Sequence, residues 1–261
     1  MNLKMQKNIE QQVYIASRER KNLKRITFLH DSRPALGLEE KMKKNIYVSV
    51  SLDPVKEYTK MLEYAKKMQG HADMLHLDIM DGKFVERTTF DQNLVNNINQ
   101  NCLTMLDVHL MCNEPLTLID GYHQAGANII TIHYEAFEDK NQIVEAFNKI
   151  RKGNALVGLS FKPNTEIKDI KMFLHDVDIV LVMSVEPGLS GQKFIPNAIE
   201  KIKELDNIRK QNNFTYKIEV DGGIDDSTAK DCVKAGVDIL VSGSYIFNAK
   251  NQIEAIKTLK S

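Results

Sequence analysis

From Asn45 onward, short runs rich in Val, Ile and Leu recur at intervals of mostly about 25 residues, with amphipathic segments between them. The runs fall at 46–51, 74–78, 104–110, 129–133, 155–160, 179–183, 216–220 and 239–242. Helical periodicity occupies 54–67, where Pro54 suits a first turn, and then 115–125, 142–151, 199–211 and 226–235. Strict strand-helix alternation requires crossovers between parallel strands. Eight such units close on themselves more naturally than they lie open, so an α/β fold of the (β/α)8 barrel kind is expected over 45–261. An open doubly wound sheet is the competing arrangement. The phrases Ala72-Asp73-Met74, Ala125-Gly126-Ala127-Asn128-Ile129 and Ala235-Gly236-Val237-Asp238-Ile239 resemble one another, and each marks the corner where a helix gives way to the next strand.

Residues 1–44 break this pattern. They are polar and rich in Lys and Arg, and a poorly ordered or weakly helical N-terminal extension is expected there. Glu10, Glu19, Asp31, Glu39 and Glu40 count against an organellar transit segment. No apolar run reaches membrane-spanning length and no basic-then-apolar leader opens the chain, so a cytoplasmic protein without a membrane partner is expected. The 35 basic and 35 acidic side chains balance to a formal charge of +0, which gives no global reason to bind nucleic acid. Cys102, Cys112 and Cys232 are odd in number and lack C-x-x-C spacing. They argue for a reducing compartment and a packing role.

The chemistry-bearing residues lie where strands end. Side chains alternate along a strand, so His76 and Asp78 in His76-Leu77-Asp78-Ile79-Met80-Asp81-Gly82 share one face. Two later strands end on His109 and Asp221. In a parallel barrel the C-terminal strand ends share one mouth, which would bring these four residues together. Two imidazoles and two carboxylates suit one divalent ion, Zn, Fe, Mn or Co, rather than Ca2+. Asp78 and Asp221 are the candidate proton-transfer groups. A lone strand histidine is more often a packing residue, and a lone Asp at a strand end more often caps a helix; the joint position of all four favours the site. His133, which also ends a strand, reads as a supporting or lining residue.

Met80, Met111 and Met183 sit at or just past three strand ends, and are expected to line the pocket and exclude water. Three Gly-containing loops suggest a phosphate cradle: Gly188, Gly191 and Gln192 after strand 6, Gly222 and Gly223 after strand 7, and Gly243 and Ser244 after strand 8. A short helix after Gly243 would aim its positive end at the same place.

On these motifs, together with His109-Leu110-Met111 and Met183-Ser184-Val185-Glu186-Pro187-Gly188, the chain resembles the ribulose-phosphate 3-epimerases over roughly 46–259. The resemblance implies interconversion of D-ribulose 5-phosphate and D-xylulose 5-phosphate, with Asp78 and Asp221 as acid/base pair and His76, Asp78, His109 and Asp221 on the metal. It also implies that the glycine loops hold the substrate phosphate and that His109 meets the substrate. Where the family has Pro-Ser and a second Ser on strand 1, this chain reads Tyr47-Val48-Ser49-Val50-Ser51, and Ser49 is taken as the substrate-binding serine. Glu86-Arg87 stands where the family has Pro-Asn, and Leu189-Ser190 where Phe-Gly is common. A 3-epimerase of a hexulose 6-phosphate such as D-allulose 6-phosphate would share every catalytic residue, although Gly223 leans toward the pentulose. A non-catalytic sugar-phosphate-binding barrel is the third reading. Related barrel decarboxylases use D-x-K-x-x-D, and Asp78-Ile79-Met80-Asp81 offers no lysine. Oligomeric state, homo-oligomer included, stays open.

Overall fold

A computed structural model describes residues 44–261, and the expected N-terminal extension lies outside the described residues. Eight parallel strands close into a barrel in chain order: β1 (Tyr47–Ser51), β2 (Met74–Met80), β3 (Met105–Met111), β4 (Ile129–His133), β5 (Leu156–Phe161), β6 (Ile179–Met183), β7 (Lys217–Asp221) and β8 (Ile239–Ser242). The connecting helices are α1 (Tyr58–Met68), α2 (Gln92–Asn101), α3 (Pro115–Gln124), α4 (Asn141–Lys152), the single-turn α5 (Ile167–Ile170), α6 (Asn197–Asn212) and α7 (Asp226–Ala235). After β8 come the short α8 (Ser244–Asn248) and α9 (Gln252–Lys260). The closed (β/α)8 barrel expected from the repeat is therefore the fold. Among the described residues, no helix is long and apolar enough to cross a membrane.

Several boundaries differ from the sequence pattern. The first helix begins at Tyr58 rather than at Pro54, because the chain after β1 first makes a tight turn in which Val55 N–H donates to Leu52 C=O at 3.0 Å. β2 and β3 run on to Met80 and Met111, which remain paired beyond the apolar run. Thr89 secures that extension: its hydroxyl accepts the Met80 N–H at 2.9 Å and donates to the Asp78 carbonyl.

Strand alternation divides the core. Val48, Val50, Leu75, Leu77, Leu106 and Val108 face outward and pack with the helices in the main apolar cluster. Met74, Met105, Ile129, Leu156, Ile179 and Ile239 face inward as a separate apolar floor. Along each strand the inward series then becomes polar: Met74, His76, Asp78 on β2 and Met105, Asp107, His109 on β3. The floor plugs the barrel, and the ionisable groups stand above it toward the mouth.

Behind the floor, a repeated device sets the register. The residue before each even-numbered strand accepts a backbone N–H from the preceding strand: Asp73 from Val48 at 2.8 Å, Asn128 from Leu106 at 2.8 Å, Asp178 from Val157 at 2.8 Å and Asp238 from Ile218 at 2.7 Å. This explains why the three repeated phrases carry Asp or Asn at one position. The same four residues also donate their own N–H groups to the strands they reach across to. Asp178→Ala strands a part-buried N–H and is expected to lower unfolding free energy by about 1–3 kcal/mol in urea denaturation. Asp178→Asn should lose less than half of that, since Asn128 does the same work; an unchanged midpoint in the Ala variant contradicts the assignment.

Candidate active site

The turns after β2 and β7 are built so that their last residues face the barrel mouth. Asp81 is part of the turn and not of the cluster: one carboxylate oxygen accepts Lys83 N–H and Phe84 N–H, both at 2.8 Å, and the other accepts Asn113 N–H at 2.8 Å. Ser184 holds the turn after β7, donating its N–H to Asp221 C=O and its hydroxyl to the Asp221 and Gly222 carbonyls at 2.8 and 2.6 Å. Gly222 has φ +119°, and a Cβ there would lie 2.4 Å from Val185 Cγ2. Gly223 has φ +63°, and its Cβ would meet Phe194 N at 2.5 Å. Both positions require glycine for conformation and for space. Asp225, not Asp221, caps the next helix, accepting Ser227 and Thr228 N–H groups at 2.9 and 2.8 Å.

His76, Asp78, His109 and Asp221 come together. Each offers one ligand atom, and the four atoms lie within 4.8 Å of one another. Asp78 pairs with His109 in the β2–β3 register, and Asp78 Oδ1 stands 3.2 Å from His76 Nε2 and 3.0 Å from His109 Nδ1. Asp221 Oδ2 is 3.9 Å from His76 Nε2. Modest side-chain rotation brings such a set to the ~2.0–2.2 Å bonds of a single Zn-sized ion, and the mixed N/O donors suit it. His76, Asp107 and Glu219 form a second cluster whose ligand atoms also lie within 4.8 Å of one another. It is sealed, with all three side chains fully buried, whereas Asp78 and Asp221 open onto the cleft.

The two carboxyls of the quartet are electrostatically unlike. Burial would raise Asp78, but the His76 charge and hydrogen bonds from both histidines outweigh it and hold the group well below the usual carboxylate range. Burial, reinforced by the Asp78 charge, pushes Asp221 up to about 7. Burial opposes charge on His76, yet Asp107 and Asp78 together hold its ring well above the usual imidazole value. Asp107 is 2.6 Å from His76 Nδ1. Burial and the Asp107 charge keep Glu219 well above the carboxylate range. The result is one carboxyl held ionised and one raised toward neutrality, facing the same space, the arrangement that acid/base sites use.

The cleft at the mouth is lined by Asp78 and Asp221, by Met80, Met111 and Met183, and by Gly188, Gly191, Gln192, Gly222, Gly223, Gly243 and Ser244. The sequence-expected phosphate loops and methionines thus share one wall system. Two placements differ from expectation. Ser49 does not line the cleft; it is fully buried below it, and its hydroxyl donates to Asp107 Oδ2 at 3.0 Å. Ser51, two residues on along the same face, lines the cleft instead. His109 is fully buried behind Asp78 rather than exposed to the cleft. The Gln192 amide donates to Glu186 and Leu189 carbonyls at 2.6 and 2.8 Å, closing its own loop.

Sequence reading passed over Asp107 and Glu219, although each stands two residues before a quartet member and so on the same strand face. It also gave Arg87 no task. In the structure Arg87 forks onto the buried Asp53 at 2.7 and 3.1 Å and donates to Gly188 C=O at 3.1 Å. One side chain thereby joins the loops after β1, β2 and β6 around the cleft. No local pattern announces such a contact, because its partners are 34 and 101 residues away.

Residues 47–247 match the sequence model of the Ribulose-phosphate 3 epimerase family. The ribulose-phosphate 3-epimerase of Chlamydia muridarum (strain MoPn / Nigg) is 41% identical over 183 residues, 69% of this chain and 78% of that protein. The chain belongs to the ribulose-phosphate 3-epimerase family. Further relatives are the ribulose-phosphate 3-epimerase of Aquifex aeolicus (strain VF5), 38% identical over 74% of this chain and 86% of its own, and the chloroplastic ribulose-5-phosphate-3-epimerase of Arabidopsis thaliana, 35% identical over 84% and 78%. Family membership makes the chain an isomerase acting on carbohydrates. Among solved structures, KGPDC from Streptococcus mutans aligns with a TM-score of 0.62 at 16% identity, covering 83% of this chain and 96% of that one, a likeness of fold alone.

Removing the fork by Arg87→Ala is expected to speed amide hydrogen exchange across residues 187–192 roughly 5- to 10-fold, the equivalent of about 1 kcal/mol of charge-assisted hydrogen bonding. Exchange at the wild-type rate contradicts the pinning role.

Proposed function

We propose that this protein interconverts D-ribulose 5-phosphate and D-xylulose 5-phosphate by moving protons between carbon 3 of the substrate and two carboxyl groups. The observation that carries this reading is the unlike pair Asp78 and Asp221, both lining one cleft, with the first held ionised and the second raised to about 7. Asp78 leaves β2 and Asp221 leaves β7, with β8 and β1 between them round the barrel, so they address the cleft from different sides. Inverting a carbon beside a ketone requires that difference. One group must take the proton from one face and the other must return a proton to the opposite face.

In the forward direction Asp78 accepts the proton from carbon 3. The electron pair of the broken C–H bond moves into the carbon 2–carbon 3 bond, giving an ene-diolate with charge on the former ketone oxygen. Asp221 then delivers its proton to the other face of carbon 3. Each turnover leaves Asp78 protonated and Asp221 ionised, which is the starting state for the reverse reaction. A divalent cation, when held by His76, Asp78, His109 and Asp221, supplies a Lewis acid that stabilises the developing oxyanion. Met80, Met111 and Met183 keep the reacting carbon dry, which strengthens local electrostatics. The loops carrying Gly188, Gly191, Gly222, Gly223, Gly243 and Ser244 bring backbone to the far side of the cleft, where a phosphate fits. Ser51 is positioned to meet the sugar hydroxyls in place of Ser49.

The test is an epimerase assay on ribulose 5-phosphate and allulose 6-phosphate, before chelation, after chelation and after metal return. The expected outcome is preference for the five-carbon substrate, loss on chelation and recovery on reconstitution. Asp221→Asn should lower kcat by about 10²- to 10⁴-fold with the circular dichroism spectrum unchanged, and wild-type turnover in deuterated water should place solvent deuterium at carbon 3. A fully active Asp221→Asn variant, or turnover without deuterium incorporation, contradicts the two-carboxyl mechanism.

A further inference from the structure

Each imidazole of the quartet has a second ring nitrogen, and the two are supported differently. His76 Nδ1 meets Asp107 directly, 2.6 Å away. His109 Nε2 meets another imidazole: His133 Nε2 lies 2.8 Å from it. The ring centroids are 4.9 Å apart with planes inclined by 23°, so the rings meet nitrogen to nitrogen rather than face to face. His133 is fully buried, and its other nitrogen, Nδ1, is 3.3 Å from Glu135 Oε2. Glu135 is anchored in turn from the next strand's loop, accepting Lys162 N–H at 2.8 Å and the Thr165 hydroxyl. Asp78, His109, His133 and Glu135 therefore form one chain of contacts from the cleft to the barrel rim.

Such a chain admits few hydrogen arrangements. Two ring nitrogens at hydrogen-bond distance need one N–H and one lone pair between them. If His109 Nε2 carries the hydrogen, it donates to His133 Nε2, His133 carries its own on Nδ1, and that hydrogen goes to the Glu135 carboxylate. The His109–His133 and His133–Glu135 contacts are then satisfied, and His109 Nδ1 presents a lone pair to the quartet, facing Asp78 Oδ1 3.0 Å away, an acceptor pair that a cation between them would bridge. If instead His133 Nε2 donates to His109, then His133 Nδ1 turns a lone pair toward Glu135, acceptor against acceptor. The Glu135 carboxylate disfavours that arrangement, whereas Asp78 favours it by accepting the His109 Nδ1–H in the metal-free site, so Glu135 is the group that opposes this pull. A metal-ligating histidine needs the first one, with its remote N–H engaged and its near nitrogen bare.

We infer that His133 and Glu135 are positioning residues that fix His109 in the tautomer whose Nδ1 can bind a cation at the quartet. Glu135 acts at two removes, selecting the hydrogen on His133 and through it the hydrogen on His109. The inference rests on reading the quartet as a cation site, and its tests read binding and tautomer instead of epimerase turnover. It also gives a task to His133, whose sequence position suggested only support or lining.

The experiment compares wild type, His133→Ala and Glu135→Gln for Co2+ and Zn2+ affinity by competition with a chelator of known strength, and for the His109 tautomer by 15N NMR of the metal-free protein. The result expected is a 10- to 100-fold weaker metal affinity in both variants and a shift of His109 in Glu135→Gln toward hydrogen on Nδ1, with the fold retained by circular dichroism. Glu135→Gln changes few atoms and decides the matter by itself if His133→Ala does not fold. Wild-type affinity and tautomer in folded Glu135→Gln overturn the inference while leaving the epimerase reading intact. Failure of wild type to bind either ion overturns both.

Discussion

The structure depends on how a closed barrel accommodates several acids in its interior. Asp78, Asp107, Glu219 and Asp221 all approach His76, in a space walled by strands and plugged below by an apolar floor. Four carboxylates cannot all ionise there, since unpaired charge in a low-dielectric interior is too costly. The protein divides the states instead. Glu219 and Asp221 are pushed toward their neutral forms, while Asp78 and Asp107 stay ionised against His76. Electrostatic division of this kind produces an acid and a base from two chemically identical side chains.

The two ends of the barrel have separate tasks. At the closed end, Asp73, Asn128, Asp178 and Asp238 tie neighbouring strands by side chain and backbone alike. At the open end, Arg87 with Asp53, Ser184 with the turn after β7, and Gln192 within the loop after β6 hold irregular backbone around the cleft. Register set at one end decides which side chains meet at the other. Asp78 lies beside His109 because Met74 lies beside Met105 four residues earlier.

Much of this was legible before any coordinates. Strand alternation placed His76 with Asp78, and the barrel rule brought in His109 and Asp221, because both depend only on spacing and on strand ends. What spacing cannot give is depth. Ser49 and Ser51 share a face, and only the register, with Ser51 beside His76, shows which of them reaches the cleft. Pro54 looked like a helix start because proline favours a first turn, but it lies inside the tight turn that Val55 N–H closes onto Leu52 C=O, before the helix begins. Arg87 was invisible as a clasp because its partners come from two other loops, after β1 and after β6. His133 could be seen at a strand end, but its partner Glu135 and the nitrogen-to-nitrogen contact with His109 exist only in three dimensions.

The central claim is that four side chains from β2, β3 and β7 enclose one divalent cation between two unlike carboxyls. Anomalous X-ray diffraction from crystals grown with Zn2+ or Mn2+ tests it most directly. A single strong anomalous peak per chain is expected at the cleft floor, within ~2.0–2.4 Å of His76 Nε2, His109 Nδ1 and an oxygen each of Asp78 and Asp221. A peak in the sealed cluster of His76, Asp107 and Glu219, or one that leaves Asp221 unliganded, would contradict it.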